Sequence, residues 1–130
     1  MTIDHITIPV PPAEHKKIVS FYLAALKPLG YAIVTAYGPN EGVVGLGPDG
    51  KADFWITATP GAASMLNLHI AFRTSDRTVV DAFHRAALEA GGKDHGAPGV
   101  RLQYHEHYYG AFVIDPLGNN LEVVCHEPVS

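Results

Sequence analysis

The sequence predicts an α+β protein made of two modules with one plan: strand, helix, three strands. Three observations predict it. F-x-x-A-A-L occurs twice, as Phe21–Leu26 and as Phe83–Leu88. A histidine precedes each copy in a strand-like segment, His5 in the first half and His69 in the second. Turn-forming Gly47-Pro48-Asp49-Gly50 in the first half is matched by Asp115-Pro116-Leu117-Gly118 in the second. An internal duplication is the mark of stacked modules that bury their apolar faces together. At 130 residues the chain has the length of one domain with a substantial core. Within domain 1–130 the first module runs to about 58, residues 59–66 form a linker, and the second module covers about 67–127.

Each element has a local cause. Thr2 to Val10 alternates, with Ile6, Ile8 and Val10 on one face and Ile3, His5 and Thr7 on the other, so it reads as a strand with one partly polar face. Pro11-Pro12 ends it and opens a helix whose stripe is Ile18, Phe21, Tyr22, Ala25, Leu26 and Leu29, stopped near Pro28 and Gly30. Tyr31–Tyr37, Val43–Gly47 and Asp53–Ala58 are three short strands separated by Gly- and Pro-rich turns. The plan restarts with a strand at Asn67–Arg73. Ser75 is the expected N-cap of a second helix, with Asp76 in its first turn and Val79, Val80, Phe83, Ala87 and Ala90 as its stripe. Gly91-Gly92 ends that helix, and Lys93–Val100 reads as a loop. Arg101–His107, Tyr109–Asp115 and Asn120–His126 complete the count of strands.

Composition narrows the partners. The chain is 47% hydrophobic and 17% charged, ordinary for a globular protein. Its net charge is −4, with only nine Lys and Arg and no basic cluster, which argues against nucleic acid and anionic membrane. No apolar run reaches membrane-spanning length. One cysteine, Cys125, rules out an intrachain disulfide, and the N-terminus lacks the basic and apolar regions of a signal peptide. The expectation is a cytosolic protein with a small-molecule partner.

The chemistry centres on the last hairpin. Asp115-Pro116-Leu117-Gly118 suits a type I turn, and the strand after it carries Glu122 between Leu121 and Val123. With period two, Glu122 and Val124 share one face and Leu121 and Val123 the other. A carboxylate in an apolar strand is costly to bury unless something compensates it. His5 and His69 stand at corresponding points of the repeat on polar strand faces. Two His and one carboxylate form the facial arrangement suited to a catalytic divalent metal, against a plain salt bridge for Glu122. His15, His84 and His95 read as surface or hydrogen-bonded residues.

The paired modules, His5, His69 and the D-P-x-G-N-x-x-E run ending at Glu122 resemble the vicinal oxygen chelate superfamily. Its members include glyoxalase I, fosfomycin- and bleomycin-resistance proteins and extradiol dioxygenases. The resemblance covers the whole chain and implies half-barrels with a metal on the concave side, held by His5, His69 and Glu122. It implies a divalent ion among Fe, Mn, Zn and Ni, and a homodimer in which modules pair across a two-fold axis. The chain departs from each named reaction. On the strand Asp53–Ala58, where glyoxalase I has a fourth ligand, none stands at Phe54, Trp55 or Ile56. Phe112 occupies the position of the extradiol catalytic Tyr. Little beyond Arg101 and Lys93 is present to bind a phosphonate.

The run Arg101-Leu102-Gln103-Tyr104-His105-Glu106-His107-Tyr108-Tyr109 concentrates His, Tyr and Arg before the hairpin. As a strand it would place Arg101, Gln103, His105 and His107 on one face. The expected roles are acid–base catalysis for His105 with Glu122, and substrate binding for Arg101, Tyr109, Trp55 and Phe112. The expected function is metal-dependent chemistry on a small oxygen-bearing molecule, aromatic or anionic, with glyoxalase-type lyase or isomerase chemistry ahead of extradiol dioxygenation. The alternative is a resistance protein that binds a small molecule without turnover.

Overall fold

Each half of the duplicated pattern folds as a βαβββ module, so the fold class read from the sequence holds. The computed structural model describes residues 3–129, and the chain divides between Ser64 and Met65 into two compact units. In the first unit β1 (Ile6–Val10), α1 (His15–Leu26), β2 (Ala32–Tyr37), β3 (Val43–Gly47) and β4 (Phe54–Ala58) make one sheet, ordered β1-β4-β3-β2, with its helix. β1 lies parallel to β4 and the other pairs are antiparallel. Ile8, Val10, Leu46, Phe54 and Ile56 are buried together with Ile18, Tyr22, Ala25 and Leu26 of α1. The Tyr22 and Phe54 rings meet at 4.9 Å. Pro12 opens a short 3-10 turn that leads into α1, and a second such turn ends at Gly30, whose φ of +83° suits a residue without Cβ. Thr2, assigned to the first strand on sequence, lies outside the described residues, and the strand itself begins at Ile6.

The second unit repeats the plan with β5 (His69–Thr74), α2 (Arg77–Glu89), β6 (Lys93–Val100), β7 (Tyr109–Ile114) and β8 (Asn120–Cys125), ordered β5-β8-β7-β6. Val80, Phe83 and Ala87 of α2 are buried with Ala111, Val113, Leu121, Val123 and Cys125. The cap of α2 is Asp76 rather than the expected Ser75: its carboxylate accepts from the Thr78 N–H at 2.8 Å. Among the described residues no helix is long and apolar enough to cross a membrane.

Two elements depart from the sequence reading. Lys93–Val100, expected as a loop, is strand β6, and Arg101–His107, expected as a strand, is a double turn. Gly96, Pro98 and Gly99 sit in an edge strand, where proline is tolerated, and the register with β7 shifts around Gly96. The turns are closed by Tyr104 N–H to Arg101 C=O (3.0 Å) and Tyr108 N–H to His105 C=O (3.2 Å). Arg101, Gln103, His105 and His107 therefore do not share a strand face.

The β7–β8 turn is where sequence and packing meet most tightly. Gly118 N–H closes it on Asp115 C=O at 2.9 Å, and Gly118 has φ +88°. Buried Asp115 accepts from Leu117 N–H (2.8 Å), Asn119 N–H (3.0 Å) and Asn119 Nδ2 (3.0 Å). Asn119 Oδ1 then accepts from Leu68 N–H (3.0 Å), and Asn120 N–H donates to Leu68 C=O (2.7 Å). These bonds set β5 beside β8 in the register His69↔Asn120 and Ala71↔Glu122. We predict that Asp115→Ala, which strands buried donors, lowers unfolding free energy by about 2–4 kcal/mol, with a smaller loss for Asp115→Asn, as measured by urea denaturation.

Candidate metal centre

Glu122 is only 1% exposed, yet it projects from the sheet face opposite α2. Period two gives that face Asn120, Glu122 and Val124 of β8, with cross-strand partners Ile114, Phe112 and Gly110 of β7 and His69, Ala71 and Arg73 of β5. One carboxylate oxygen, Oε1, lies 2.7 Å from Nε2 of half-exposed His69. The other, Oε2, accepts the Tyr108 hydroxyl hydrogen. Gly110 makes room for this pair: a Cβ there would stand 3.2 Å from Tyr108 Cε1 and 3.4 Å from Glu122 Oε2. Tyr108 is the partner of Glu122 that sequence reasoning passed over in favour of its neighbours. The chain gives it no periodic signal, since a turn brings its phenol back over Glu122.

Burial, then the hydrogen bond to Glu122 and the carboxylate's charge, push the Tyr108 phenol above the ordinary tyrosine range. It therefore stays protonated as a fixed donor to Glu122. The donor set fits a divalent ion. An imidazole nitrogen and a carboxylate oxygen are donor types that a divalent ion takes, and His69 Nε2 and Glu122 Oε1 stand together on one face. Asn120 Oδ1, on the same face, is buried without a hydrogen-bond donor, which adds acceptor character there. Within the described residues, no three His, Cys, Asp or Glu side chains gather into one cluster.

In the first unit, His5 stands just before β1, with Nδ1 2.6 Å from Asp4 Oδ1. It lines a cleft of about 390 Å³ with Thr7, Tyr37, Trp55 and Thr57. Registers within the two units identify the counterpart of Glu122. Thr7 pairs with Trp55 as Ala71 pairs with Glu122, two residues beyond the respective histidines. Trp55 holds the position, and Gly45 opposite it leaves space for the ring, since a Cβ there would lie 2.8 Å from Trp55 Cζ3.

The other expected site residues separate by face. Phe112 is the cross-strand partner of Glu122, its ring 6.1 Å from that of His69. Arg101 lies over Phe112, with Cζ 5.4 Å from the ring centre. Tyr109, expected to bind substrate, points the other way. Its hydroxyl donates to Asp81 of α2 (2.6 Å) and its ring lies under Arg77, because odd positions of β7 face the helix. His105, expected as the acid–base group, has both nitrogens engaged. Nδ1 accepts from His107 N–H (3.1 Å), which leaves the proton on Nε2, 2.8 Å from His126 Nδ1. Its ring packs against Tyr108 at 5.5 Å, a buttress rather than a group poised over Glu122.

No protein-family model matches the chain, and no curated protein does. Solved structures do. A glyoxalase/bleomycin resistance protein from Albidiferax ferrireducens T118 is similar at 24% identity and TM-score 0.73, over 96% of this chain and 98% of that one. The bleomycin resistance determinant encoded on transposon Tn5 is similar at 20% identity and TM-score 0.62, over 96% and 99%. Glyoxalase I from Zea mays is similar at 21% identity and TM-score 0.66, over 95% of this chain and 45% of that one. The chain has the vicinal oxygen chelate fold, that of the glyoxalase/bleomycin resistance proteins.

Tyr108 yields a pH-dependent prediction. Its ionisation is raised in the folded state above the unfolded value near 10, so the stability it contributes is complete below about pH 10 and is lost as pH rises further. Tyr108→Phe should cost about 1–3 kcal/mol at neutral pH by leaving buried Glu122 one donor short. It should also reduce the alkaline loss of stability. Urea unfolding at neutral pH and above pH 10 checks both; an unchanged alkaline profile contradicts the assignment.

Proposed function

We propose that this chain is a divalent-metal-dependent enzyme that acts on a small molecule with vicinal oxygens by glyoxalase-type lyase or isomerase chemistry. The observation that carries the reading is buried Glu122, held between His69 and Tyr108 on the sheet face opposite α2. His69 Nε2 and Glu122 Oε1 would hold the ion. His5 enters as third ligand on sequence correspondence alone, since it opens the first module as His69 opens the second. A divalent ion bound there supplies Lewis-acid polarisation of the substrate oxygens.

The side chains supply the rest. Tyr108 fixes the carboxylate by donating to Oε2, which leaves Oε1 turned toward His69. Glu122, buried between His69 and Tyr108, is the group able to accept a proton from carbon next to a carbonyl and return it. Phe112 beside it excludes water from the face and offers an apolar surface to the substrate. Phe112 also lacks the hydroxyl of an extradiol catalytic Tyr, which favours proton transfer over dioxygenation. A second reading, binding without turnover, is favoured by Trp55, which makes the first unit's counterpart of the Glu122 position apolar. A homodimer with modules shared between partners belongs to the proposal, and such sharing makes metal binding depend on assembly.

Metal titration of chelator-stripped protein tests the reading. Wild type should bind one ion per site, with affinity falling in acid because imidazole must be neutral to ligate. His69→Ala and Glu122→Ala should each weaken binding by about tenfold or more, as should His5→Ala if it ligates. Full-strength binding by the triple variant would remove the metal centre. Sedimentation at micromolar concentration tests the assembly: a monomer that retains metal rules out an obligatory shared site.

A further inference from the structure

The guanidinium of Arg101 sits in a cradle built from glycines. Its Nη2 donates to Ala97 C=O at 2.7 Å, and its Cζ lies 5.4 Å from the centre of the Phe112 ring. A Cβ on Gly99 would approach Nη1 to 3.0 Å, and one on Gly96 would stand 3.1 Å from Nη2 and 2.9 Å from Phe112 Cδ1. A side chain at either position would crowd the guanidinium, which would have to give way by a few tenths of an ångström for a methyl group and more for a larger side chain. The seat lies on the Glu122 face, because Gly96 pairs with Phe112 and Gly99 with Gly110, whose own neighbours are Tyr108 and Glu122.

Among the described residues, Arg101 makes no ion pair, as holds for every Lys and Arg but Arg73; what sets Arg101 apart is its seat. A guanidinium has five N–H donors in a planar fork, and the bond to Ala97 uses only one side of it. A cation held by a backbone carbonyl and an aromatic face, with its charge left unmatched, is arranged to receive an anion.

From this we propose that Arg101 forms an anion subsite on the Glu122 face, and that the substrate carries a carboxylate group that docks on it. The inference rests on the metal-centre reading for the other end of the substrate. There vicinal oxygens meet His69 and Glu122, with Phe112 lying between the two poles. Lysine would not serve equally, since a point charge neither stacks on Phe112 nor offers the fork.

The test uses metal-loaded protein and hydroxamates of increasing chain length that end in a carboxylate, each paired with its methyl ester. The hydroxamate chelates the metal, and only the free carboxylate engages Arg101. Wild type should bind the best acid about ten- to hundredfold more tightly than its ester, the range of a charge-assisted hydrogen bond. Arg101→Met should erase that preference and Arg101→Lys should keep part of it. Gly99→Val, which leaves the arginine in place, should reduce it. Metal content should not change in any of the three variants, and acid and ester are compared within each. Equal binding of acid and ester to metal-loaded wild type, or a preference that survives Arg101→Met, overturns the anion subsite while the metal centre stands. Protein that takes up no metal means that the metal reading has failed. Inorganic phosphate is then the probe: a shifted Arg101 guanidinium NMR signal upholds the subsite, and an unmoved one overturns it.

Discussion

Asn119 bonds in two directions, and the geometry of the second unit depends on it. Its side-chain nitrogen donates to Asp115 inside the β7–β8 turn, and its carbonyl oxygen accepts from the backbone of Leu68 before β5. A parallel strand pair has no tight turn of its own to set its register. Here the turn between two antiparallel strands sets it by reaching across to a third. A slip of one residue in β8 would send Glu122 into the apolar layer under α2 and turn Val123 outward. The D-P-x-G-N run is thus a structural lock, and the chemistry follows from it: once Asn119 holds Leu68, His69 has little choice but to lie over the Glu122 carboxylate.

The duplicated plan allows one unit to serve as a control for the other. Both place a histidine at the mouth of the strand that runs parallel to the last strand. Only the second unit answers it with a carboxylate; the first answers with Trp55, given room by Gly45. One half of the repeat carries a carboxylate at this position, and the other an aromatic ring.

Most of the fold was legible in the sequence because its signals were local. The repeat of F-x-x-A-A-L, the alternation in β5 and β8 and the turn residues at Asp115–Gly118 each act within a few residues. Where local and long-range effects competed, the reading failed. Glycine and proline in Lys93–Val100 argued for a loop, yet β6 needs them: an edge strand tolerates Pro98, and Gly96 and Gly99 leave space for a guanidinium arriving from Arg101. That error passed on to the site, since treating 101–107 as a strand gave His105 a face it does not have. Tyr108 went unseen for the same reason. Its role depends on a double turn that brings a phenol back over Glu122, and no periodicity encodes a turn of that kind. Tyr109 was misplaced because its true partner, Asp81, lies on a helix 28 residues earlier in the chain.

Glu122 Oε1 and His69 Nε2, as two ligands of one divalent ion with Tyr108 holding the carboxylate in place, are the centre of the proposed chemistry. Anomalous diffraction at the metal edge, from crystals grown with the bound ion and no chelator, addresses it most directly. The account predicts one anomalous peak per chain, at about 2.0–2.2 Å from both atoms, with the Tyr108 hydroxyl still on Oε2. A peak elsewhere, or Glu122 still bonded directly to His69 with no peak beside it at saturating metal, would contradict it.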